Sequence, residues 1–319
     1  MDSATEKLLA DLKDQNPHWG RTRLAKESGV HESSVRRWLD RTRRSMPPAS
    51  GKKKQLLNRL DEQLDEREIA AILRNIKSAR PTVRPFKISG DSVKFGIISD
   101  SHIGHKMFAE EWLMHAYEFF ESEGCEFIYH AGDIVEGMSG RDGQIYELNK
   151  LGFEEQVNYA AELIRKSPMP IRAILGNHDQ WFKGKGNIGA CVGTKLSNEC
   201  QNFTYLGDDE AYDMLGNIKV MLRHPGDGSA YALSYKTQKF IESLAGGQKP
   251  NILINGHYHK GIFFEYRNVH AFEAGTLQGQ SKFMRGRNLS STPSVWCVEA
   301  FQDEVGLQRI KSELLRFYE

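Results

Sequence analysis

The chain has 319 residues, 39% of them hydrophobic and 27% charged, with a formal net charge of +1. This composition excludes a disordered or collagen-like chain and has room for one large domain and a smaller one; no apolar run approaches the roughly 18 residues of a membrane span. The polar start MDSATEKLLADLKD, and four cysteines (Cys125, Cys191, Cys200 and Cys297) outside any CxxC pairing, predict a cytoplasmic protein with free thiols and no disulfide framework.

The small net charge hides an asymmetry. Between residues 15 and 59 the acids are Glu27, Glu32 and Asp40 alone, against a dozen lysines and arginines, a layout suited to meeting a polyanion. Inside this section RTRLAKESGVHESSVRRWLD (21–40) predicts two short helices joined at SGV. Ala25 is small where the helices cross, Gly29 can take a positive φ, and Val35 and Trp38 pack the second helix back, with Trp38 expected to supply much of a small core. Leu8, Leu9 and Leu12 mark a preceding amphipathic helix. The stretch resembles the helix-turn-helix of bacterial and phage DNA-binding proteins. The resemblance implies a recognition helix that presents His31, Ser33, Ser34, Arg36 and Arg37 to DNA, with Arg21 and Arg23 as further contacts. A helical module that docks protein is the alternative.

SMPPASGKKK then reads as a linker, and Leu56, Leu57, Leu60, Leu64, Ile69, Ile72, Leu73 and Ile76 recur every three or four residues. An amphipathic helix over 55–77 is expected, a packing element or a route to a homo-oligomer. The predicted organisation is 1–46 helical DNA-binding domain, 47–84 linker with helix, and 85–319 catalytic domain.

From residue 93 onward a pattern repeats. VKFGIISDSHIGHK ends a β-rich run in Asp100 and His102; CEFIYHAGDIVEG ends in Asp133; IRAILGNHDQ delivers Asn177 and His178; IKVMLRHPGDG reaches His224; NILINGHYHK supplies His257 and His259. Residues i and i+2 of a strand share a face, so each pair is expected to leave its strand pointing one way, and strand ends of an open sheet converge on one crevice.

The order DxH, GD, GNH, H, GHxH resembles the calcineurin-like metallophosphoesterase superfamily over residues 93 to about 280. The resemblance implies an α/β fold, a four-layer α/β/β/α sandwich preceded here by the small all-α unit. It implies Asp100, His102 and His259 on one metal, Asn177, His224 and His257 on a second, and Asp133 bridging both. Mixed oxygen and nitrogen ligands suit transition metals, Mn²⁺ first, with Fe or Zn²⁺ as alternatives. His178 has no metal in the family pattern and is the candidate proton donor. Glu136 matches the acid that orients this histidine in the superfamily's protein phosphatases. His105, Arg223 and Lys260 are candidate substrate contacts, Arg285 and Arg287 either line a polyanion groove or belong to a solvated loop, and His130, like His105, flanks the motifs as a supporting or structural residue.

GDIVEG and GNHD depart from the GDxVDRG and GNHE of those phosphatases and look closer to SbcD-type nucleases and the phosphodiesterase branch. With a DNA-binding unit in the same chain, DNA is the leading substrate and RNA a second. A small nucleotide or nucleic-acid end is the alternative, and a DNA-binding regulator with an inactive metal domain a third reading.

Overall fold

The computed structural model describes residues 3–15, 20–44, 84–86, 88, 90–184, 189–228, 230–245 and 247–318. The chain divides into two compact units, Met1–Ala79 and Arg80–Glu319. The linker and the amphipathic helix expected over 55–77 lie outside the described residues.

In the first unit, α1 (Ser3–Gln15), α2 (Arg21–Ser28) and α3 (Glu32–Arg44) enclose Leu9, Leu24 and Val35, all fully buried. Gly29 ends α2 with φ +68°, the left-handed cap that glycine tolerates best. At the start of α3, His31 Nδ1 accepts the Ser33 N–H at 3.3 Å, so a histidine serves as the cap. Trp38 is only half-buried, packed against the core beside Leu12, Ala25, Val30 and Leu39. The three aliphatic side chains form the fully buried centre, and Trp38 adds its half-buried ring to them.

The second unit is built on two six-stranded sheets. Sheet I has the order β12-β11-β2-β3-β4-β5, and sheet II the order β1-β6-β7-β8-β10-β9. Sheet I contains β2 (Ser92–Ile98), β3 (Phe127–Ala131), β4 (Ile171–Ile174), β5 (Phe203–Gly207), β11 (Ser294–Gln302) and β12 (Leu307–Arg316). Sheet II contains β1 (Arg84–Phe86), β6 (Glu210–Leu215), β7 (Ile218–Arg223), β8 (Ile252–Asn255), β9 (Gly261–Tyr266) and β10 (Val269–Ala274). The central runs β2-β3-β4-β5 and β7-β8-β10 are parallel, so their carboxyl ends point the same way within each sheet.

Strand alternation builds the layers. In β11, Val295 and Cys297 face one core while Trp296, Val298 and Ala300 face another; in β7, Val220 and Leu222 turn one way and Met221 the other. The first core packs sheet I against α4 (Glu110–Ser122), α5 (Gly152–Arg165) and α7 (Val192–Glu199). The middle core joins the two sheets, and the third packs sheet II against α8 (Tyr235–Ser243). The unit is an α/β/β/α sandwich. Polar bonds also cross the middle core: Tyr129 Oη donates to Asp213 Oδ2 at 2.8 Å, Arg172 Nε to the same oxygen at 2.7 Å, and Trp296 Nε1 to the Glu273 carbonyl at 3.0 Å. Residues 307–316, whose structure the sequence leaves open, form the edge strand β12 antiparallel to β11.

Candidate active site

The five motif segments follow β2, β3 and β4 of sheet I and β7 and β8 of sheet II, and their side chains meet at these carboxyl ends. Asn177 and His178 sit in the short helix α6 (Asn177–Gln180). The pairs Asp100/His102 and His257/His259 are not on strands as expected, since β2 stops at Ile98 and β8 at Asn255. They stand on tight turns. Asp100, His102, Asp133, His257 and His259 have φ of 49°, 50°, 54°, 76° and 54°, a left-handed conformation uncommon in residues other than glycine. Backbone held this way at five chemically active side chains is characteristic of functional sites. Gly176 and Gly256 make the approach possible: a Cβ on Gly176 would collide with the Asp133 carboxylate, and one on Gly256 with the Ala131 carbonyl and the His224 ring.

The resulting cluster has two lobes. Asp100, His102 and His259 offer ligand atoms within 4.8 Å of one another, and so do Asp133, His224 and His257. His259 Nε2 lies 3.3 Å from Asp100 Oδ1 and 3.1 Å from His102 Nε2. In the other lobe His224 Nε2 lies 3.1 Å from Asp133 Oδ2, and His257 Nδ1 lies 3.1 Å from Asn177 Oδ1. Asp133 Oδ2 is also 3.9 Å from His102 Nε2, so this one oxygen faces both lobes. All seven expected ligands come together.

Whether the cluster suits metal ions is decided by which nitrogen carries the proton. His224 Nδ1 donates to the Ala131 carbonyl at 2.7 Å, His257 Nε2 to the Asp227 carbonyl at 2.7 Å, and His102 Nδ1 to Glu136 Oε2 at 2.9 Å. As neutral imidazoles all three then turn a bare lone pair toward carboxylates, an amide oxygen or one another, which is repulsive without a cation. His224 Nε2 is buried 3.1 Å from Asp133 Oδ2, a contact that without a cation has to hold a proton. Donors locked outward and lone pairs converging inward are the arrangement expected of a ligand set with its supporting hydrogen bonds.

The charges agree. Burial would raise Asp100 and Asp133, yet the neighbouring imidazoles hold both well below the usual carboxylate range. Burial works against a charged His224, but Asp133 outweighs it and pushes the group up to about 10. The carboxylates demand positive charge here, and a proton on His224 supplies it where a metal would.

His178 lies beside both lobes. Its Nδ1 donates to the Glu136 carbonyl at 2.8 Å, and its Nε2 is 4.0 Å from Asp133 Oδ2. Against the effect of burial, Asp133 and then Glu136 raise it to about 9, so it carries a proton at neutral pH. The Glu136 carboxylate reaches His102 as well as His178, which lies 3.3 Å away, and receives Gln144 Nε2 at 3.2 Å. It therefore braces a candidate ligand and the candidate acid together.

Other expected contacts fall elsewhere. His105 is buried, its Nδ1 accepting the Met107 N–H at 2.9 Å and its Nε2 3.8 Å from Glu147 Oε2. Arg223 points to the opposite face of sheet II from His224, with its guanidinium 4.0 Å from the Phe240 ring centroid on α8. Lys260 donates to the Ser290 carbonyl at 2.6 Å. His105, Arg223 and Lys260, the expected substrate contacts, thus make packing and loop-holding contacts within the protein. His130 bonds Ser101 at 2.8 Å, and burial pushes it down to about 3. In the small unit, Arg36, Arg37 and Ser33 are exposed and Ser34 half-buried; Arg21 pairs with Glu32 at 3.0 Å, and Arg23 is exposed.

Two supporting roles, those of Asp179 and Gln156, escaped the sequence reading. Asp179 accepts N–H groups from Ile134 at 3.1 Å, Val135 at 2.9 Å and Gly176 at 2.9 Å, clamping the GD loop to the GNHD turn. Burial and Asp133 raise its pKa to about 7 against those three donors. Gln156, fully buried, accepts from Gly137 N at 2.8 Å and donates to the Lys150 carbonyl at 3.1 Å, fixing the loop that carries Glu136. Asp179 was visible as the last letter of GNHD, whereas nothing local marks Gln156.

Among curated proteins the chain is 26% identical over 235 residues to the DNA polymerase II small subunit of Halobacterium salinarum, covering 62% of this chain and 46% of that one. It is 28% identical to the same-named protein of Archaeoglobus fulgidus, covering 61% and 49%. The chain thus spans about half the length of the curated relatives it matches. Similar solved structures include a novel archaeal phosphodiesterase, at 17% identity and TM-score 0.39 over 70% of this chain and 100% of that one. Vps29 of Entamoeba histolytica complexed with zinc matches at 14% and 0.38, over 71% and 100%. The calcineurin-like phosphoesterase superfamily domain matches residues 93–287, from β2 through all five motif segments, and the chain belongs to that superfamily.

Proposed function

We propose that the chain is a dinuclear metal-dependent phosphodiesterase acting on nucleic acid, DNA first, with its three-helix unit as the targeting device. The observation that carries this reading is the position of Asp133 Oδ2, facing both lobes of a cluster whose imidazole lone pairs converge. Asp100, His102 and His259 would hold one ion, Asn177, His224 and His257 the other, and Asp133 both. Two divalent ions, Mn²⁺ by preference, would supply Lewis acidity toward the phosphoryl oxygens and activate a water at neutral pH. The protein's own part is to orient the ester and deliver a proton. His178, held by Glu136 through Nδ1, donates from Nε2 to the leaving oxygen. The curated relatives are DNA polymerase II small subunits, which supports a nucleic-acid setting and also favours a second reading, an accessory role without turnover.

The test is hydrolysis of end-labelled single- and double-stranded DNA beside bis(p-nitrophenyl) phosphate, with Mn²⁺ and after chelation, using His178→Ala as control. Metal-dependent DNA cleavage lost in the variant supports the reading. Aryl diester turnover with intact DNA moves the substrate to a small phosphoester, and bound metal with no turnover at all selects the accessory role. For targeting, Arg36→Ala with Arg37→Ala is expected to lower the salt slope of duplex binding by about 2. An unchanged slope removes the recognition helix.

A further inference from the structure

The segment after β10 leaves the site at one candidate ligand and returns at another. Leu277 N–H donates to the Asp100 carbonyl at 3.2 Å on the way out, and Thr292 N–H to the His259 carbonyl at 2.8 Å on the way back. Between these two feet stands α9 (Lys282–Gly286). From residue 274 to 298 the chain has no acid, and Lys282, Arg285 and Arg287 are exposed there. None of the three has a carboxylate partner among the described residues.

On α9 the ring of Phe283 is 38% exposed, and the guanidinium carbons of Arg287 and Arg141 each lie 4.8 Å from its centroid. Arg141 comes from the loop that follows Asp133, where its Nη2 meets Glu147 Oε2 at 2.5 Å. Tyr146, next to Glu147, is 79% exposed. Both loops are fastened to the turn just after His102: Lys106 N–H donates to the Glu147 carbonyl at 2.8 Å, and Gly279 N–H to the Met107 carbonyl at 2.9 Å. An aromatic and arginine group built from two loops is thus tethered to the Asp100, His102 and His259 lobe.

A guanidinium lying on a ring keeps its in-plane N–H donors free for phosphate oxygens, while ring and guanidinium planes offer a π-face to a base. A duplex has no base face to give, because its bases stack on one another. We propose that Phe283, Arg287, Arg141 and Tyr146 form a platform for an unpaired nucleotide of the strand whose phosphodiester reaches the Asp100 and His259 lobe. This rests on the nucleic-acid reading above and narrows it to single-stranded substrate, or to a frayed or displaced strand.

The experiment uses the full chain with metals chelated and a single-stranded DNA 12-mer carrying 2-aminopurine, followed by anisotropy and by fluorescence quenching. Wild type is expected to bind and quench. Phe283→Ala should weaken binding about tenfold and abolish quenching, with Phe283→Trp restoring both; Arg287→Gln should lower the salt slope by about 1. An unchanged thermal midpoint shows that each variant is folded. Binding and quenching that ignore Phe283 overturn the platform, as does a wild type that binds no single strand, which would leave this face to a protein partner. Cleavage is scored separately. Phe283-dependent quenching without Mn²⁺-dependent cleavage keeps the platform and removes the nuclease reading, and the reverse pairing does the opposite.

Discussion

The two sheets support their candidate ligands by different means. On the sheet I side, His102 is backed by the carboxylate of Glu136, Glu136 by Gln144, and the neighbouring loops by Asp179 and Gln156. On the sheet II side, His224 and His257 lean on backbone carbonyls, those of Ala131 and Asp227, and His259 Nδ1 is buried without a partner among the described residues. A carboxylate raises the donor strength of the imidazole it braces more than a carbonyl does. The lobes therefore differ in kind. Yet each lobe takes ligands from both sheets, so the inter-sheet bonds of Asp213 and Glu273 act on the site as well as on the core.

The largest effect should come from the residue that erases the difference by serving both lobes. Asp133→Ala is expected to lose both metals and to lower turnover on the order of a thousandfold or more. Metal content measured by elemental analysis checks it. One metal retained at full occupancy would show that the lobes are independent and that Asp133 does not bridge.

A smaller effect probes the packing behind sheet II. Glu273 is buried against Thr237 and Asn255, with Oε2 unpartnered among the described residues, and burial raises its pKa from 4.5 to about 7. The folded state thus holds a proton that the unfolded chain gives up between these values. Its stabilising contribution is complete below pH 4.5 and is lost as pH rises through 7, about 3 kcal/mol in all. Glu273→Gln should match wild type in urea midpoint near pH 4.5 and surpass it near pH 8. Parallel profiles would show that the carboxyl is ionised in the folded protein.

The contrast between the sheets also separates what sequence can reveal from what it cannot. The candidate ligand set was legible because each motif is local: an apolar strand and then the side chain, with a glycine between them in GD, GNH and GHxH. The turns that carry Asp100, His102, His257 and His259 were not, because alternation along a strand predicts direction only while the strand lasts. The same rule, applied where β7 does persist, explains the direction of Arg223: its neighbour Leu222 faces the middle core, so Arg223 turns to α8. Residues 307–316, read as LQRIKSELLR, mix helix formers with two adjacent leucines. Only pairing with β11 makes them a strand. Gln156 reaches Gly137 across 19 residues, and no local pattern announces such a bond.

Glu136→Gln sharpens the comparison most directly. The amide keeps an oxygen to accept from His102 Nδ1 and fills the same volume, so the brace survives in shape while its charge is lost. If charge makes the sheet I support stronger, metal affinity of the Asp100, His102 and His259 lobe should fall by about 10- to 100-fold, with the other lobe unchanged. His178 loses one of the two carboxylates that hold its pKa up to about 9, so the alkaline limb of the rate profile should move to lower pH. Metal titration by calorimetry and a pH profile on an aryl diester read the two effects separately. Equal weakening of both lobes would make Glu136 a general stabiliser of the loop. No weakening, with the pH limb displaced, would confine its charge to positioning the proton on His178.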